Sequence, residues 1–167
     1  LVALAVATLT TRAQQRGEWP GITGGDTSTR YSPLDQITAA NFNQLKVAWS
    51  WAGDVAPGVE LGDINARSLP IYVDGMLITT SGPKRTVVSL DPATGKTLWH
   101  FQEPETPRQA YSMRANHGKG VAYARINGRG VVFITTPGFF LHALDAKTGQ
   151  PLEGWGGAVP VRGFPKT

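Results

Sequence analysis

Cysteine is missing from this sequence of 167 residues. Its absence excludes disulfides, a thiolate nucleophile and every metal centre held by cysteine, because each of these needs a thiol. The absence is compatible with any compartment and therefore does not place the protein in the cell. Helical periodicity is missing as well, apart from about one turn near residues 38–45.

Acidic residues are scarce in one long stretch of the chain. Between residues 106 and 144 there is no Asp or Glu, whereas five basic residues occur there: Arg108, Arg114, Lys119, Arg125 and Arg129. The formal net charge of the whole chain is +4. The basic stretch fits either a solvated face or a site for an anion. A nucleic-acid partner is not indicated, because no aromatic residues are interleaved with the charges in a binding motif.

Glycine and proline are plentiful, with 20 and 12 residues, and 41% of the chain is hydrophobic. This is the composition of a globular protein rich in turns. Runs of β-forming residues flank Asp74-Gly75 and Asn127-Gly128. Such dipeptides are strong hairpin signals, since glycine accepts a positive φ without a Cβ clash. The sequence therefore predicts an all-β fold of short strands and tight turns.

The motif Leu-Asp-x-x-Thr-Gly occurs twice, 54 residues apart, in "SLDPATGKTLW" (89–99) and "ALDAKTGQPLEGW" (143–155). The preceding hairpins also match, and they align Thr79-Thr80 with Thr135-Thr136. Two linked segments in the same order indicate a repeated unit. A unit of this length that contains only strands and turns is typical of β-propeller blades.

The tryptophans that follow the repeated motif, Trp99 and Trp155, suggest how the units join. We expect such a ring to wedge between neighbouring blades, which is worth roughly 2–3 kcal/mol on burial, and its indole N–H to find an acceptor. Asp91 and Thr94 are expected to bond to the backbone of their own turn. Because propellers have about four to eight blades, we expect further blades on the same or another chain and no activity from this piece alone.

The first 13 residues resemble the apolar core and small-residue end of a secretory signal. They have no Met and no basic start, so we expect a truncated signal peptide at 1–13. An N-terminal segment and a first outer strand are predicted at 14–51. About two blades of an incomplete propeller are predicted at 52–167.

The segment "EWPGITGGDTSTRYSPLDQITAANFNQLKVAWSW" (18–51) resembles the start of the pyrroloquinoline-quinone (PQQ)-dependent dehydrogenases. The shared elements are Trp19-Pro20, Gly24-Gly25-Asp26, the run 29–34, and the run 41–49. The motif at 90–99 resembles the tryptophan-docking motif of that family, and "GKGVAYA" (118–124) is similar to its Arg-Gly-Val-Ala-Tyr segment. The resemblance covers about residues 18–157 in the family order.

This resemblance implies an eight-bladed propeller in the periplasm, with PQQ and Ca²⁺ on its axis. It implies oxidation of a sugar, polyol or alcohol, with electrons passed to a cytochrome or ubiquinone. Ca²⁺ would act as a Lewis acid and an Asp as general base. The catalytic residues and the metal ligands of the family lie on later blades, so none is expected among these residues.

Departures from the family pattern define three candidate cofactor-binding residues. Lys119 stands where the family has an Arg that contacts the quinone, and Arg67 stands where many members have a Glu. A cation can pair with the carboxylates of PQQ, although Lys lacks the planar fork of Arg. His117 is the third candidate, as a hydrogen-bond donor. For each of them a solvated or structural role is the alternative.

The missing cysteines favour one branch of the family. Alcohol-oxidising members carry a vicinal Cys pair shortly before the Arg-Gly-Val segment, where this chain has Met113-Arg114. The resemblance therefore favours a sugar- or polyol-oxidising enzyme. Two alternatives stay open at this point: a quinone-free propeller that serves as a binding or assembly scaffold in the envelope, and a remnant without activity.

Overall fold

The computed structural model describes residues 17–25, 28–53, 68–112, 120–155 and 157–158. Within these residues the secondary structure is β-strand with two short 3₁₀ segments, Phe42–Gln44 and Pro107–Tyr111. The described part of the chain contains no helix with the length and apolarity that a membrane span requires. The predicted all-β fold is confirmed.

The strands form two antiparallel sheets, each with four strands in chain order. The first sheet consists of β1 (Ile71–Val73), β2 (Met76–Ser81), β3 (Thr86–Leu90) and β4 (Thr97–Phe101). The second sheet consists of β5 (Ala122–Ile126), β6 (Arg129–Thr135), β7 (Phe140–Asp145) and β8 (Gly157–Ala158). Each sheet is a four-stranded meander, which is the architecture of a propeller blade.

Both predicted hairpins are present, and both have two-residue turns. Asp74 and Gly75 have φ of 50° and 76°, and Asn127 and Gly128 have φ of 50° and 80°. Two successive positive φ values define the type I′ turn, whose twist matches that of the flanking strands. The turn residues therefore set the register of β1 on β2 and of β5 on β6.

The register corrects one detail of the repeat. The strand partners of the repeated leucines, Leu77 and Val132, are 55 residues apart. Ser81 is thus the counterpart of Thr136, and the alignment of the two Thr-Thr pairs by sequence was wrong by one residue. The following turn has four residues after Ser81 but three after Thr136, so the spacing of equivalent residues falls from 55 in β2 to 54 at the repeated leucines.

The core lies between the two sheets. Side chains from β1, β2 and β3 meet side chains from β6 and β7, and Trp99 of β4 closes the cluster. Its buried members are Ile71, Val73, Met76, Ile78, Val87, Trp99, Val132, Ile134, Leu144 and Ala146. A smaller cluster on the other face of the first sheet joins Val88 and Leu90 to Trp49, Trp51 and Leu77. Neither sheet buries an apolar face by itself, so the packing stabilises the pair.

The repeated turns contain the same hydrogen bonds. Asp91 Oδ1 accepts bonds from the Thr94 hydroxyl at 2.9 Å and from the Thr94 N–H at 2.8 Å. Asp145 Oδ1 accepts from the Thr148 hydroxyl and N–H at 3.1 and 2.9 Å. In each turn the N–H of the glycine donates to the aspartate carbonyl at 2.8 Å. The repeated Asp and Thr are therefore turn residues, as predicted.

Trp99 joins the two sheets through the second of these turns. Its ring lies on Gly149, where an added Cβ would come within 2.4 Å of Trp99 Cε3. Its indole N–H donates to the Ala146 carbonyl at 3.0 Å. The ring is only 9% exposed. Glycine is required at this point because φ is +70° and the ring leaves no room for a side chain.

Trp49 repeats this arrangement on the first sheet. Its indole N–H donates to the Pro92 carbonyl at 3.0 Å, and its ring lies on Gly95. Trp155, the tryptophan of the second motif, is 50% exposed and contacts the Phe133 ring edge-on at 5.4 Å. The predicted docking role is therefore seen for Trp99, and it extends to Trp49.

The N-terminal segment reaches the free edge of β1. Trp19 and Tyr72 exchange two backbone hydrogen bonds of 2.7 and 2.9 Å. Further along, Ser81 Oγ donates to the Gly53 carbonyl at 2.7 Å. The N-terminal segment thus contacts the first sheet at its first strand and on the face that bears Trp49.

Candidate functional site

The three candidate cofactor-binding residues, Arg67, His117 and Lys119, lie outside the described residues. Their contacts are therefore not part of the structure. Arg67 is bonded to Ser68 and Lys119 is bonded to Gly120, and both of these neighbours are described.

Ser68 and Gly120 lie together. A Cβ built on Gly120 would be 3.6 Å from Ser68 Oγ and 4.0 Å from Ser68 Cα. Ser68 Oγ is also 3.5 Å from the hydroxyl of Thr79.

This contact defines one end of the blade pair. At this end of the blade pair, strands β1, β3, β5 and β7 begin and strands β2, β4 and β6 end. We call this end the loop face. The same face carries residues 82–85, 102–112 and 136–139. The opposite end carries the hairpin turns and the Asp-x-x-Thr-Gly turns.

A buried carboxylate dominates the polar contacts of the loop face. Glu103 is 3% exposed and lies between the sheets. Its Oε2 accepts hydrogen bonds from Gln109 Nε2 at 3.0 Å and from the Gly138 N–H at 3.1 Å. Its Oε1 accepts a bond from the Thr136 hydroxyl and lies 3.4 Å from His142 Nε2. The carboxylate therefore has partners on three separate segments.

The electrostatics of this cluster favour the ionised acid. Burial raises the pKa of Glu103, but hydrogen bonds from His142, Thr136, Gln109 and Gly138 hold it below its ordinary value. Burial lowers the pKa of Arg85, and the charge of Glu103 acts against that shift. The Arg85 guanidinium also donates to the Thr135 carbonyl at 3.2 Å.

The 3₁₀ helix Pro107–Tyr111, which we call the linker helix, packs against this cluster. Arg108 is 1% exposed, and its guanidinium carbon lies 4.8 Å from the centre of the Phe140 ring. Cation–π contacts of this kind are worth about 0.5–2 kcal/mol. Gln109 supplies the second attachment through Glu103. The linker helix is therefore held on the second sheet just before residue 113.

His142 is part of the packing between the sheets. Its ring centre is 5.1 Å from that of Phe101 and 5.9 Å from that of Phe140. These ring contacts give His142 a structural place between the sheets. His100 lies exposed on β4.

A second polar cluster lies at the opposite end of the blade pair. Tyr123 donates its hydroxyl to Asp74 Oδ2 at 2.7 Å, and the Arg125 guanidinium pairs with Asp74 Oδ1. Glu18 Oε1 accepts the Asp74 N–H at 3.1 Å and lies 3.9 Å from Arg125. Burial and the bond to Asp74 raise the pKa of Tyr123. These contacts tie the N-terminal segment and both sheets together, away from the loop face.

Metal-binding clusters are absent from the described ranges: no three His, Asp or Glu side chains there are placed to hold an ion. The cluster around Glu103 and the one around Asp74 were not predicted. Glu103, Gln109 and Thr136 are scattered along the chain and carry no shared motif, so no sequence signal marked them.

Two four-stranded meanders joined by tryptophan docking are the architecture of neighbouring β-propeller blades. A family model for PQQ enzymes, described as "Glucose/ethanol/alcohol dehydrogenase, beta-propeller domain", matches residues 19–162. The chain belongs to the PQQ-dependent dehydrogenase family.

Relatives with established names agree with this assignment. The 1-butanol dehydrogenase (cytochrome c) of Thauera butanivorans is 37% identical over 147 residues, which are 84% of this chain and 19% of the relative. The quinohemoprotein alcohol dehydrogenase ADH-IIG of Pseudomonas putida is 35% identical over 141 residues, 82% of this chain and 18% of the relative. The chain thus spans about a fifth of the length of these relatives.

The solved structures give the same result. The quinohemoprotein alcohol dehydrogenase of Comamonas testosteroni superimposes with a TM-score of 0.62 and 32% identity, covering 87% of this chain and 20% of that one. A europium-containing methanol dehydrogenase also superimposes with a TM-score of 0.62, at 25% identity over 87% of this chain and 24% of that one. The predicted propeller fold and family are confirmed.

Proposed function

We propose that this chain is part of a PQQ-dependent dehydrogenase that oxidises a CH–OH group and passes the electrons to a cytochrome or a quinone. Family membership supports the class of reaction. The structural observation that supports the proposal is the pair of four-stranded meanders joined by the docking of Trp99 on Gly149.

The chemistry of the candidate residues fits the cofactor. PQQ carries three carboxylates, and Arg67 and Lys119 supply two cations, with His117 as a further donor. Charge-assisted hydrogen bonds between such groups are stronger than neutral ones. When bound, PQQ supplies the two-electron acceptor for the substrate, and Ca²⁺ polarises its carbonyl in the family. In this chain Arg67 and Lys119 would hold and orient the anionic cofactor.

Two classes of substrate with a CH–OH group are considered: sugars or polyols, and simple primary alcohols. The absence of a Cys pair near residue 113 favours a sugar or polyol. The relatives include several named alcohol dehydrogenases, a glycerol dehydrogenase large subunit and a quinoprotein glucose dehydrogenase. We therefore propose a sugar or polyol as the preferred substrate and a simple primary alcohol as the competing one.

The names of two relatives support the proposed electron acceptor, and residues 1–13 support the proposed location. One relative is named for cytochrome c and another for quinone as acceptor.

Residues 1–13 resemble a secretory signal, which supports a periplasmic enzyme. The N-terminal sequence of the mature protein from its natural host tests this point, and a mature protein that still begins within 1–13 would contradict it.

The test of the function uses the natural gene product that contains this sequence. The apoprotein is loaded with PQQ and Ca²⁺, and reduction of an artificial electron acceptor is followed with glucose, glycerol and 1-butanol in parallel. We expect turnover that depends on PQQ, with the highest kcat/KM for glucose or glycerol. A highest kcat/KM for 1-butanol would overturn the substrate preference alone.

Two substitutions test the candidate residues in that assay. Lys119→Ala and Arg67→Ala are each expected to weaken PQQ binding about tenfold or more, because each removes a partner of a carboxylate. Lys147→Ala is the matched control, since Lys147 is an exposed cation at the opposite end of the sheets. A gene product that folds but binds no PQQ would favour the scaffold alternative.

A further inference from the structure

Residues 17–25, which we call the strap, form a compact loop on the edge of β1. Trp19 holds the strap there through its two backbone hydrogen bonds with Tyr72. The loop closes on itself, because the Gly24 N–H donates to the Gly21 carbonyl at 3.0 Å and the Trp19 ring lies 3.0 Å from a Cβ built on Gly24. Gly24 is buried and has a φ of +87°, a conformation that favours glycine. The strap therefore has a defined structure of its own.

A buried acid fixes the strap to both sheets. The side chain of Glu18 is only 9% exposed. Its Oε1 accepts the Asp74 N–H of the first sheet at 3.1 Å and lies 3.9 Å from the Arg125 guanidinium of the second sheet. A buried acid is retained where donors and cations satisfy it. Because these two partners belong to different blades, Glu18 sets the position of the strap relative to the blade pair.

The strap lies on the inner side of the blades. Strands β1 and β5 are neighbours at both ends, since Ser68 contacts Gly120 at the loop face and Tyr123 donates to Asp74 at the opposite end, which we call the hairpin end. The strands of each sheet follow in chain order, so the outer strand β4 is at the edge opposite to β1. Blades of a propeller surround a central channel. The edge of β1 that the strap covers therefore faces this channel.

We propose that the strap closes the axial channel of the propeller at the hairpin end. It covers the channel side of β1 from Tyr72 to the hairpin turn at Asp74, and Glu18 continues the contact to Arg125 of β5. Water and small solutes then reach the axis from the loop face. This closure needs the propeller fold alone, so it holds whether or not the protein binds PQQ.

The experiment measures amide hydrogen exchange by mass spectrometry in the full-length gene product. Trp19→Pro removes the N–H that donates to the Tyr72 carbonyl, and Glu18→Ala removes the acceptor of the Asp74 N–H. Glu105→Ala is the matched control, because the Glu105 side chain is 76% exposed and lies on the loop face. Exchange is followed in β1, in β5 and in the buried strand β3.

We expect both strap variants to speed exchange in β1 about tenfold, the size expected from the loss of one hydrogen bond, and to speed exchange in β5 as well. No described hydrogen bond joins β5 to residue 19, so faster exchange of β5 in Trp19→Pro reports water in the channel. Exchange in β3 should not change, and Glu105→Ala should change none of the three strands. If Trp19→Pro does not fold, Glu18→Ala, which keeps the backbone bonds of the strap, gives the same comparison.

Two results would overturn the proposal. Faster exchange in β1 with unchanged exchange in β5 would show that the strap covers the edge of one strand and leaves the channel open. Equal acceleration in β1, β3 and β5 would show that the strap stabilises the blades as a whole and has no separate role in excluding water.

Discussion

At the scale of single residues, Gly95 and Gly149 are the most tightly covered glycines among the described residues, each with a tryptophan ring on it. Gly149 combines a φ of +70° with the Trp99 ring against its Cα. Gly128 has a φ of +80° but open space around it. Both glycines have a left-handed backbone conformation, but only Gly149 is packed against a ring. Comparing the two positions therefore separates the backbone cost of an added methyl group from its packing cost.

Gly149→Ala is expected to lower the free energy of unfolding by about 3 kcal/mol or more, from a left-handed backbone cost of roughly 1–2 kcal/mol and an overpacking cost of roughly 1–3 kcal/mol. Gly128→Ala should show only the first cost. Urea denaturation of the full-length gene product measures both. Equal losses for the two variants would show that Trp99 moves aside without cost.

Asp145 gives a prediction for the dependence of stability on pH. Burial raises its pKa, but bonds from Arg129 and from the Thr148 N–H and hydroxyl bring it below the ordinary value. An acid whose pKa is lower in the folded than in the unfolded protein stabilises the folded state at pH values above the unfolded-state pKa, which is about 3.9 for Asp. This stabilisation is lost as the pH falls through the folded-state pKa. Asp145→Asn should therefore be less stable than the unaltered protein at pH 7, and the difference in melting temperature should shrink below about pH 4. A difference that does not change with pH would contradict this account.

At the scale of elements, the sequence predicted the strands well because their turns are local. Asp74-Gly75 and Asn127-Gly128 set the hairpins by their own backbone preferences, and the Asp-x-x-Thr-Gly turns close on themselves. The one-residue error in aligning the two Thr-Thr pairs arose because the matching Thr-Thr-x-Gly letters do not occupy equivalent strand positions, which only the strand register shows. The cluster of Glu103 was missed for a related reason: tertiary packing alone brings its partners together.

The outer strand β4 is joined to the next blade mainly by Trp99. Trp99→Phe removes the bond from the indole N–H to the Ala146 carbonyl and part of the buried ring. We expect a loss of about 1–3 kcal/mol in the free energy of unfolding, because the Ala146 carbonyl is left without that donor. Trp155→Phe is the control, since Trp155 is half exposed, and it should cost less than about 1 kcal/mol. Similar losses for both variants would argue against docking as the main junction.

At the scale of the whole molecule, Trp49 indicates what surrounds the described sheets. It contacts Pro92 and Gly95 as Trp99 contacts Ala146 and Gly149. Residues near Trp49 therefore take the place of an outer strand of another blade. The inner strands of that blade are not among the described residues, and we propose that other parts of the full-length protein supply them.

The blade pair by itself should not catalyse the reaction. A polypeptide of these 167 residues, supplied with PQQ and Ca²⁺, is expected to show no turnover of glucose, glycerol or 1-butanol, because two blades cannot close a propeller of about four to eight blades. The dye-reduction assay used for the full-length protein measures this. Turnover by the short polypeptide above that of free PQQ would refute the expectation.

The docking of Trp99 on Gly149 has a consequence for how such proteins can grow. The first sheet receives the Trp49 ring at its glycine turn and offers the Trp99 ring from its outer strand, so this unit ends in two different, mutually complementary halves. A duplicated unit can be inserted between any two neighbours and still find both partners. Gene duplication can therefore lengthen or shorten such a ring in whole units, and the number of blades can change without inventing a new contact.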